Sequence, residues 1–393
     1  MNYIQTNFIL GAAGTAKTTT IIDTITELDD FICLAYTHSA VNNLRQKYTK
    51  HQNFNRKFEN NFKTIHSFFN INIDNNGQEI FRFNTKLSVP TYIFIDELSL
   101  IPLHIIEFIY TALKHNLDMF NDKKIILTFV GDLLQLNPIN VGKQLINPNN
   151  FKTLKNFKCS FQESLLIASH LSNNIFSTDY YQNANKMILT KNYRLNDKVT
   201  RILNEILSDY TNVRKYMVNL ENINEYVDKG YIILSSKYVY LEQLYSMLNI
   251  QKQFELNTEI GKISYNNNDK LLLTTNLNEH FTNGDTVIIR QESNEIVKII
   301  KNEFETESAY TFELGMKKYP LLPPNMLTIH KSQGLTLNKI VVILDDLFEI
   351  TMLYTAITRA SKNVKFIVFN KQNLKKLKLY NKSFKNLQQI IYD

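Results

Sequence analysis

The chain has no tryptophan, only two cysteines and seven prolines, and just ten glycines in 393 residues. Two cysteines, Cys33 and Cys159, cannot build a disulfide framework or a cysteine-based zinc cluster, so a reducing compartment, cytoplasmic or nuclear, is expected rather than secretion. No apolar run approaches the ~18 residues of a membrane-spanning helix. A membrane is therefore not expected as a partner. Residues 1–7 lack a basic segment and lead directly into an apolar strand pattern, which does not suit a cleaved export signal. No internal repeat or low-complexity tract interrupts the chain. A hydrophobic content of 44% against 21% charged residues excludes wholesale disorder. The length predicts two or three domains, and the excess of 44 basic over 37 acidic residues suits a polyanionic partner.

The scarce glycines become informative at Gly11-Ala12-Ala13-Gly14-Thr15-Ala16-Lys17-Thr18-Thr19, which follows the apolar Phe8-Ile9-Leu10 and precedes a helix-like segment. This is a strand, phosphate loop and helix in sequence. In such a loop the glycines, here Gly11 and Gly14, let backbone N–H groups close around phosphate oxygens, the lysine, here Lys17, reaches the β and γ phosphates, and the threonine hydroxyl, here of Thr18, holds Mg²⁺. An ordinary glycine-bearing turn before a helix is the alternative. Ala16 stands where the pattern has a third glycine. A Cβ resists the backbone geometry that such a position can demand.

Further buried-strand patterns recur at 31–36, 92–95 and 125–130, separated by helix-length segments. The alternation predicts an α/β fold. Around Asn75-Asn76-Gly77 the alternating apolar residues predict a β-hairpin within about 68–88. A second α/β unit is expected to begin at Met187–Thr190 and to continue through 231–234, 340–344 and 364–369. Between about 255 and 322 short strands and a turn at Asn283-Gly284-Asp285 predict a β-rich insertion, closed by Pro320, Pro323 and Pro324. The expected domains are 1–184 and 185–393.

Two further strand ends carry chemistry. Asp96 and Glu97 follow Tyr92-Ile93-Phe94-Ile95 and place two acids at the carboxyl edge of a sheet, where open α/β folds bind ligands. One can serve a metal and the other can orient or deprotonate an attacking water. Gln135, in Gly131-Asp132-Leu133-Leu134-Gln135, is placed to hydrogen-bond a γ-phosphate. Each is a common turn alone; three such strand ends in order point to nucleotide hydrolysis.

With these residues in view, the chain resembles the superfamily-one helicases of the RecD and Dda branch. The resembling motifs run in order: Gly11 to Thr18; Thr37-His38-Ser39-Ala40; Thr64-Ile65-His66-Ser67; Asp96-Glu97-Leu98-Ser99; Gly131 to Leu136; Asn192-Tyr193-Arg194; Thr328 to Thr336, including His330 and Gly334; and Tyr354 to Arg359. The resemblance implies two RecA-like domains, a strand-separating pin at the hairpin and an SH3-like insertion in the second domain. It implies an ATP- and Mg²⁺-dependent motor moving 5′ to 3′ on single-stranded DNA and acting at duplex junctions, with a possible replication or repair partner protein. Within it, Lys17, Glu97 and Gln135 are the expected catalytic residues, and Arg194 and Arg359 the arginines that the second domain extends to the γ-phosphate. Gly11, Gly14, Thr15, Ala16, Lys17, Thr18, Thr19 and Gly334 are the expected nucleotide contacts, with Thr18 and Asp96 expected at Mg²⁺. Thr37, His38, Thr64, His66, Phe68, Asn283, Thr328 and His330 are the expected nucleic-acid contacts.

Two departures bear on these expectations. Ala16 replaces the loop glycine, and only ten residues precede Gly11, too few for the helix on which the family carries an adenine-reading glutamine. Gln5 does not fill that place. The alternatives are a single-stranded-DNA-binding subunit with a weak or silent ATPase, and a viral-type RNA helicase.

Overall fold

A computed structural model describes residues 3–74, 78–82, 88–118, 124–138, 154, 157, 159–172, 175–248, 250, 252–275, 277–278, 281, 285–293, 296–303, 306–313 and 316–392. It divides into two compact units. The first comprises residues Met1–Arg194, Glu349–Thr351 and Leu379–Asp393, and the second Leu195–Phe348 and Met352–Lys378.

The first unit is built on a six-stranded parallel sheet. Its strands are β1 (Tyr3–Gly11), β2 (Phe31–Ala35), β3 (Phe62–Thr64), β6 (Tyr92–Asp96), β7 (Lys124–Gly131) and β8 (Asn185–Leu189), in the order β3-β2-β6-β7-β1-β8. Between β3 and β6, the two-residue strands β4 (Asn72–Ile73) and β5 (Glu79–Ile80) pair antiparallel, Asn72 facing Ile80. The Asn75-Asn76-Gly77 turn expected to join them lies outside the described residues. The helices are α1 (Lys17–Ile25), α2 (His38–Thr49), α3 (Ile65–Phe69), α4 (Leu103–Asp118), α5 (Phe161–Ser172) and α6 (Asp179–Gln182).

Burial on both faces explains the unbroken apolar strands. Ile21, Ile22 and Ile25 of α1, at helical spacing, join Val41, Leu44 and Tyr48 of α2 over Phe31, Cys33 and Phe94. Because the strands are parallel, Gly11, Asp96 and Gly131 end on one edge, with Leu10 in register with Gly131 and Ala35 with Asp96.

Strand β8 corrects an expectation. Its apolar Met187, Ile188 and Leu189 begin no second sheet; they pair parallel with β1, Gly11 facing Leu189. Periodicity identifies a strand but not its neighbour.

The second unit holds a four-stranded parallel sheet, β17-β9-β18-β19, formed by β9 (Ile232–Ser235), β17 (Met326–Thr328), β18 (Leu337–Ile343) and β19 (Ala360–Ile367). Between β9 and β17 come a two-stranded pair, β10 (Phe254–Thr258) and β11 (Gly261–Tyr265), and an antiparallel five-stranded sheet. That sheet, ordered β15-β14-β13-β12-β16, contains β12 (Lys270–Leu273), β13 (Thr286–Gln291), β14 (Ile296–Glu303), β15 (Thr306–Glu313) and β16 (Leu321–Leu322). Its inward residues Leu271, Val287, Ile289, Val297 and Phe312 belong to the same apolar cluster as Ile233, Val341 and Ile367 of the parallel sheet. The insertion thus shares the core of its host.

Helices α7 (Asp197–Ser208), α8 (Ile223–Asp228), α9 (Tyr238–Met247) and α10 (Met352–Ile357) complete the unit. Asn196 caps α7 by accepting a hydrogen bond from Val199 N at 2.9 Å, and Val199, Ile202, Leu203 and Ile206 form its buried stripe. The last helix, α11 (Lys376–Tyr392), starts in the second unit and from Leu379 onward belongs to the first. No described helix is long and apolar enough to cross a membrane.

Candidate nucleotide site and nucleic-acid motifs

The loop after β1 carries its strain where the sequence departs from the glycine pattern. Ala16 takes φ 63° and ψ 22° at the start of α1, a left-handed conformation that costs a non-glycine residue about 1–2 kcal/mol. Gly14 is also left-handed, at φ 87°. A Cβ on Gly14 would lie 2.6 Å from Arg194 Cβ and 2.8 Å from Asn192 Oδ1, so glycine is required there by contact as well as by backbone.

Lys17 Nζ donates to the carbonyls of Gly11 and Ala12 at 2.8 and 2.9 Å, which holds the ammonium over the loop. Thr15 is buried, its hydroxyl donating to Ala12 O at 2.9 Å, while Thr19 is exposed on the first turn of α1.

From β6, the buried Asp96 carboxylate accepts the Thr18 hydroxyl at 3.1 Å and the Glu97 N–H at 2.9 Å. Burial, then the adjacent Glu97 charge, pushes the Asp96 carboxyl up to about 6, against the opposing pull of the Glu97 N–H, Lys17 and Thr18. A carboxylate this short of compensation is suited to a cation. Glu97 is half-buried at φ 54°, a left-handed turn that separates its side chain from β6. Among the described residues no three His, Cys, Asp or Glu side chains could hold a metal ion. Thr18 and Asp96 fit Mg²⁺ only as a partial set of hard oxygens, to be completed by phosphate and water.

At the end of β7, Gln135 is 3% exposed and donates from Nε2 to Asp132 Oδ2 at 3.3 Å. Its Oε1 is buried with no hydrogen-bond partner among the described residues.

Asn192-Tyr193-Arg194 also belongs to the first unit, which corrects the expectation that Arg194 projects from the second. Asn192 Nδ2 donates to Ala13 O at 2.7 Å, Tyr193 N donates to Gly14 O at 2.7 Å, and Asn192 Oδ1 accepts Arg194 N at 2.9 Å. This segment continues from β8, and β8 lies beside β1, so the chain delivers it to the phosphate loop. Asn192, which ties this segment to the loop, is a contact that sequence reasoning passed over; its place within a recognised motif was the available signal.

Arg359, in the second unit, is 1% exposed, with Nε donating to Thr355 O at 3.2 Å and Nη2 to Thr358 Oγ1 at 3.4 Å. Gly334 has φ 77°.

The expected nucleic-acid residues divide. Thr37 caps α2, accepting from Ala40 N at 3.2 Å, and His38 is exposed beside it. Thr64 and Thr328 are buried at 7% and 8% exposure and accept from Ser67 N and Lys331 N, so each also caps the turn behind its strand. Phe68 is a correction. It is buried, edge-on to Phe69 with centroids 4.9 Å apart, and offers no face to a base. Asn283 lies outside the described residues.

His66 is bonded through Nε2 to Glu79 Oε1 at 3.0 Å, and His104 Nε2 lies 2.6 Å from Oε2 of the same carboxylate. Burial opposes ionisation of Glu79, yet the hydrogen bonds from His104 and His66 prevail and hold its carboxyl below the usual range. Tyr36 adds its hydroxyl to Glu79 Oε1 at 3.4 Å. Burial, then the Glu79 charge, pushes that phenol up to about 12. His330 instead lies nearly parallel to Phe348, 16° between planes and 5.9 Å between centroids, with Phe348 46% exposed.

Residues 3–141 match the family described as an AAA domain. Pif1 helicase from Bacteroides in complex with ADP-AlF3 and single-stranded DNA superposes over 97% of this chain and 94% of its own, with a TM-score of 0.57 at 18% identity. The chain has the fold of a superfamily-one DNA helicase. Pif1 helicase from Candida albicans shares that fold over 98% of this chain and 96% of its own, with a TM-score of 0.52 and 16% identity. The ATP-dependent DNA helicase Pif1 of Campylobacter jejuni is 25% identical over 361 residues, 76% of each chain. The helicase fold accounts for two parallel sheets in one chain, and the RecD- and Dda-like branch expected from the motifs is consistent with these Pif1 relatives.

Proposed function

We propose that this chain is an ATP-dependent DNA helicase, hydrolysing ATP when bound to single-stranded DNA and moving 5′ to 3′. The observation that carries the reading is the Thr18 hydroxyl on the Asp96 carboxylate at 3.1 Å, on the sheet edge where Lys17, Glu97 and Gln135 also gather. Backbone N–H groups at the start of α1 and the Lys17 ammonium would bind the phosphates. Thr18 and Asp96 would hold Mg²⁺, which when bound neutralises charge on the phosphoryl oxygens. Glu97 would accept the proton of the attacking water. The Asp132 carboxylate can only accept, so it turns Gln135 Nε2 toward itself and leaves Oε1 to receive a hydrogen bond from that water. Arg359 and the imidazoles of His66 and His330 belong to the proposed coupling and DNA-gripping machinery.

One observation favours a second reading, a DNA-binding subunit with a weak ATPase: the strained backbone at Ala16. Unwinding of tailed duplexes separates the two. The motor is expected to open a DNA duplex bearing a 5′ single-stranded tail, to leave a 3′-tailed one intact, and to act poorly on an RNA counterpart. Binding to all tails without opening any, with unwinding gained in Ala16→Gly, would support the second reading.

A further inference from the structure

We propose that Tyr392, on the last turn of α11, is a positioning residue for hydrolysis, acting through Asp132 on Gln135; the proposal rests on the ATPase reading above. Three contacts lay this helix on the first unit. Lys382 Nζ meets Glu163 Oε2 at 3.0 Å, Asn386 Nδ2 reaches Cys159 Sγ at 3.1 Å, and the Tyr392 hydroxyl reaches Asp132 Oδ1 at 3.1 Å. Phe384, Leu387 and Ile391 fill the buried stripe between them. The tyrosine therefore comes to the end of β7 on a packed helix.

Asp132 is 1% exposed, and both of its oxygens are engaged. Oδ1 accepts from Leu134 N at 3.0 Å and from Tyr392, and Oδ2 accepts from Gln135 Nε2. A buried carboxylate is held in one orientation by the donors around it, and removing one frees it to turn or to find another. If Asp132 turns, the Gln135 amide loses the acceptor that distinguishes its nitrogen from its oxygen. The buried Oε1 is then no longer held in place for the attacking water assigned to it above. Tyr392 touches neither phosphate nor water in this scheme.

The substitution Tyr392→Phe removes one oxygen and preserves the ring. The test is steady-state ATP hydrolysis by the full chain at saturating single-stranded DNA, in the wild type, Tyr392→Phe, Gln135→Ala and the double variant. Tyr392→Phe is expected to lower kcat about three- to tenfold with KM for ATP within about twofold. In the Gln135→Ala background the same change is expected to have no further effect on kcat. An unchanged kcat in Tyr392→Phe, or an equal loss in both backgrounds, would overturn the proposal while leaving the ATPase reading in place. A wild type without DNA-stimulated hydrolysis would remove the ATPase reading and this proposal with it.

Discussion

The segments Thr64-Ile65-His66-Ser67 and Thr328-Ile329-His330-Lys331 share a local design and differ in what their histidines touch. Both follow a parallel strand, β3 or β17; both bury the isoleucine completely, and both use the threonine oxygen to cap the N–H three residues on. His66, however, is held by the carboxylate of Glu79 on the hairpin, whereas His330 lies along an exposed phenyl ring. In the proposed DNA grip, an imidazole paired with an anion would have to exchange it for a phosphate, whereas one beside an exposed aromatic ring would offer phosphate and base contacts side by side. The same motif would then give a competitive contact in the first unit and an additive one in the second.

Removing the aromatic partner should have the larger effect. Phe348→Ala is expected to weaken single-stranded DNA binding by about 1–3 kcal/mol, roughly 5- to 150-fold in Kd, as measured by fluorescence anisotropy. An unchanged Kd would mean that no base stacks there.

Removing the anionic partner should have the opposite sign. Glu79→Gln is expected to tighten DNA binding by about fivefold at low salt, with the gain shrinking as salt rises, because phosphate no longer competes for His66. Its cost is in stability. The depressed carboxyl of Glu79 contributes stability that is full above the unfolded value of about 4.5 and is lost as pH falls through its folded value. The wild type should therefore lose more stability than Glu79→Gln on acidification below that pH, in denaturant melts.

Position four of the motif sharpens the contrast through pH. Ser67 does not titrate, whereas burial lowers Lys331 from 10.5 to about 8, with Glu259 partly offsetting it. The lysine donates to Thr274 O at 3.1 Å and lies 5.7 Å from the Tyr238 ring centre. The unfolded chain keeps this proton up to about 10.5 while the fold releases it near 8, so stability from this residue rises with pH across that interval. If Lys331 faces a DNA phosphate, DNA affinity is expected to move the other way, because the folded lysine loses its positive charge around pH 8. Between pH 7 and 9 the wild type is expected to lose a few-fold more DNA affinity than Lys331→Met. Parallel pH profiles would show that Lys331 faces no phosphate.

Sequence alone revealed what lies close along the chain. Lys17, Thr18, Asp96, Glu97 and Gln135 could be placed on one edge because each follows a strand, and parallel strands share their ends. Three features escaped because they depend on distant partners. Arg194 belongs with the first unit because β8 pairs with β1, a neighbour that no periodicity names. Phe68 packs on Phe69 because α3 turns it inward, which a five-residue helix gives too little pattern to reveal. Tyr392 reaches Asp132 across 260 residues, and nothing in either local segment marks the pairing. Ala16 is the converse: its strain was legible as a missing glycine, and the left-handed backbone shows why glycine belongs there.

ATP hydrolysis with and without single-stranded DNA, by the wild type, Lys17→Ala and Glu97→Gln, tests the central claim most directly. Turnover that DNA stimulates and that either substitution reduces by at least about a thousandfold is the predicted result. A wild type that binds DNA but hydrolyses no ATP would contradict it, and so would turnover that survives in both variants.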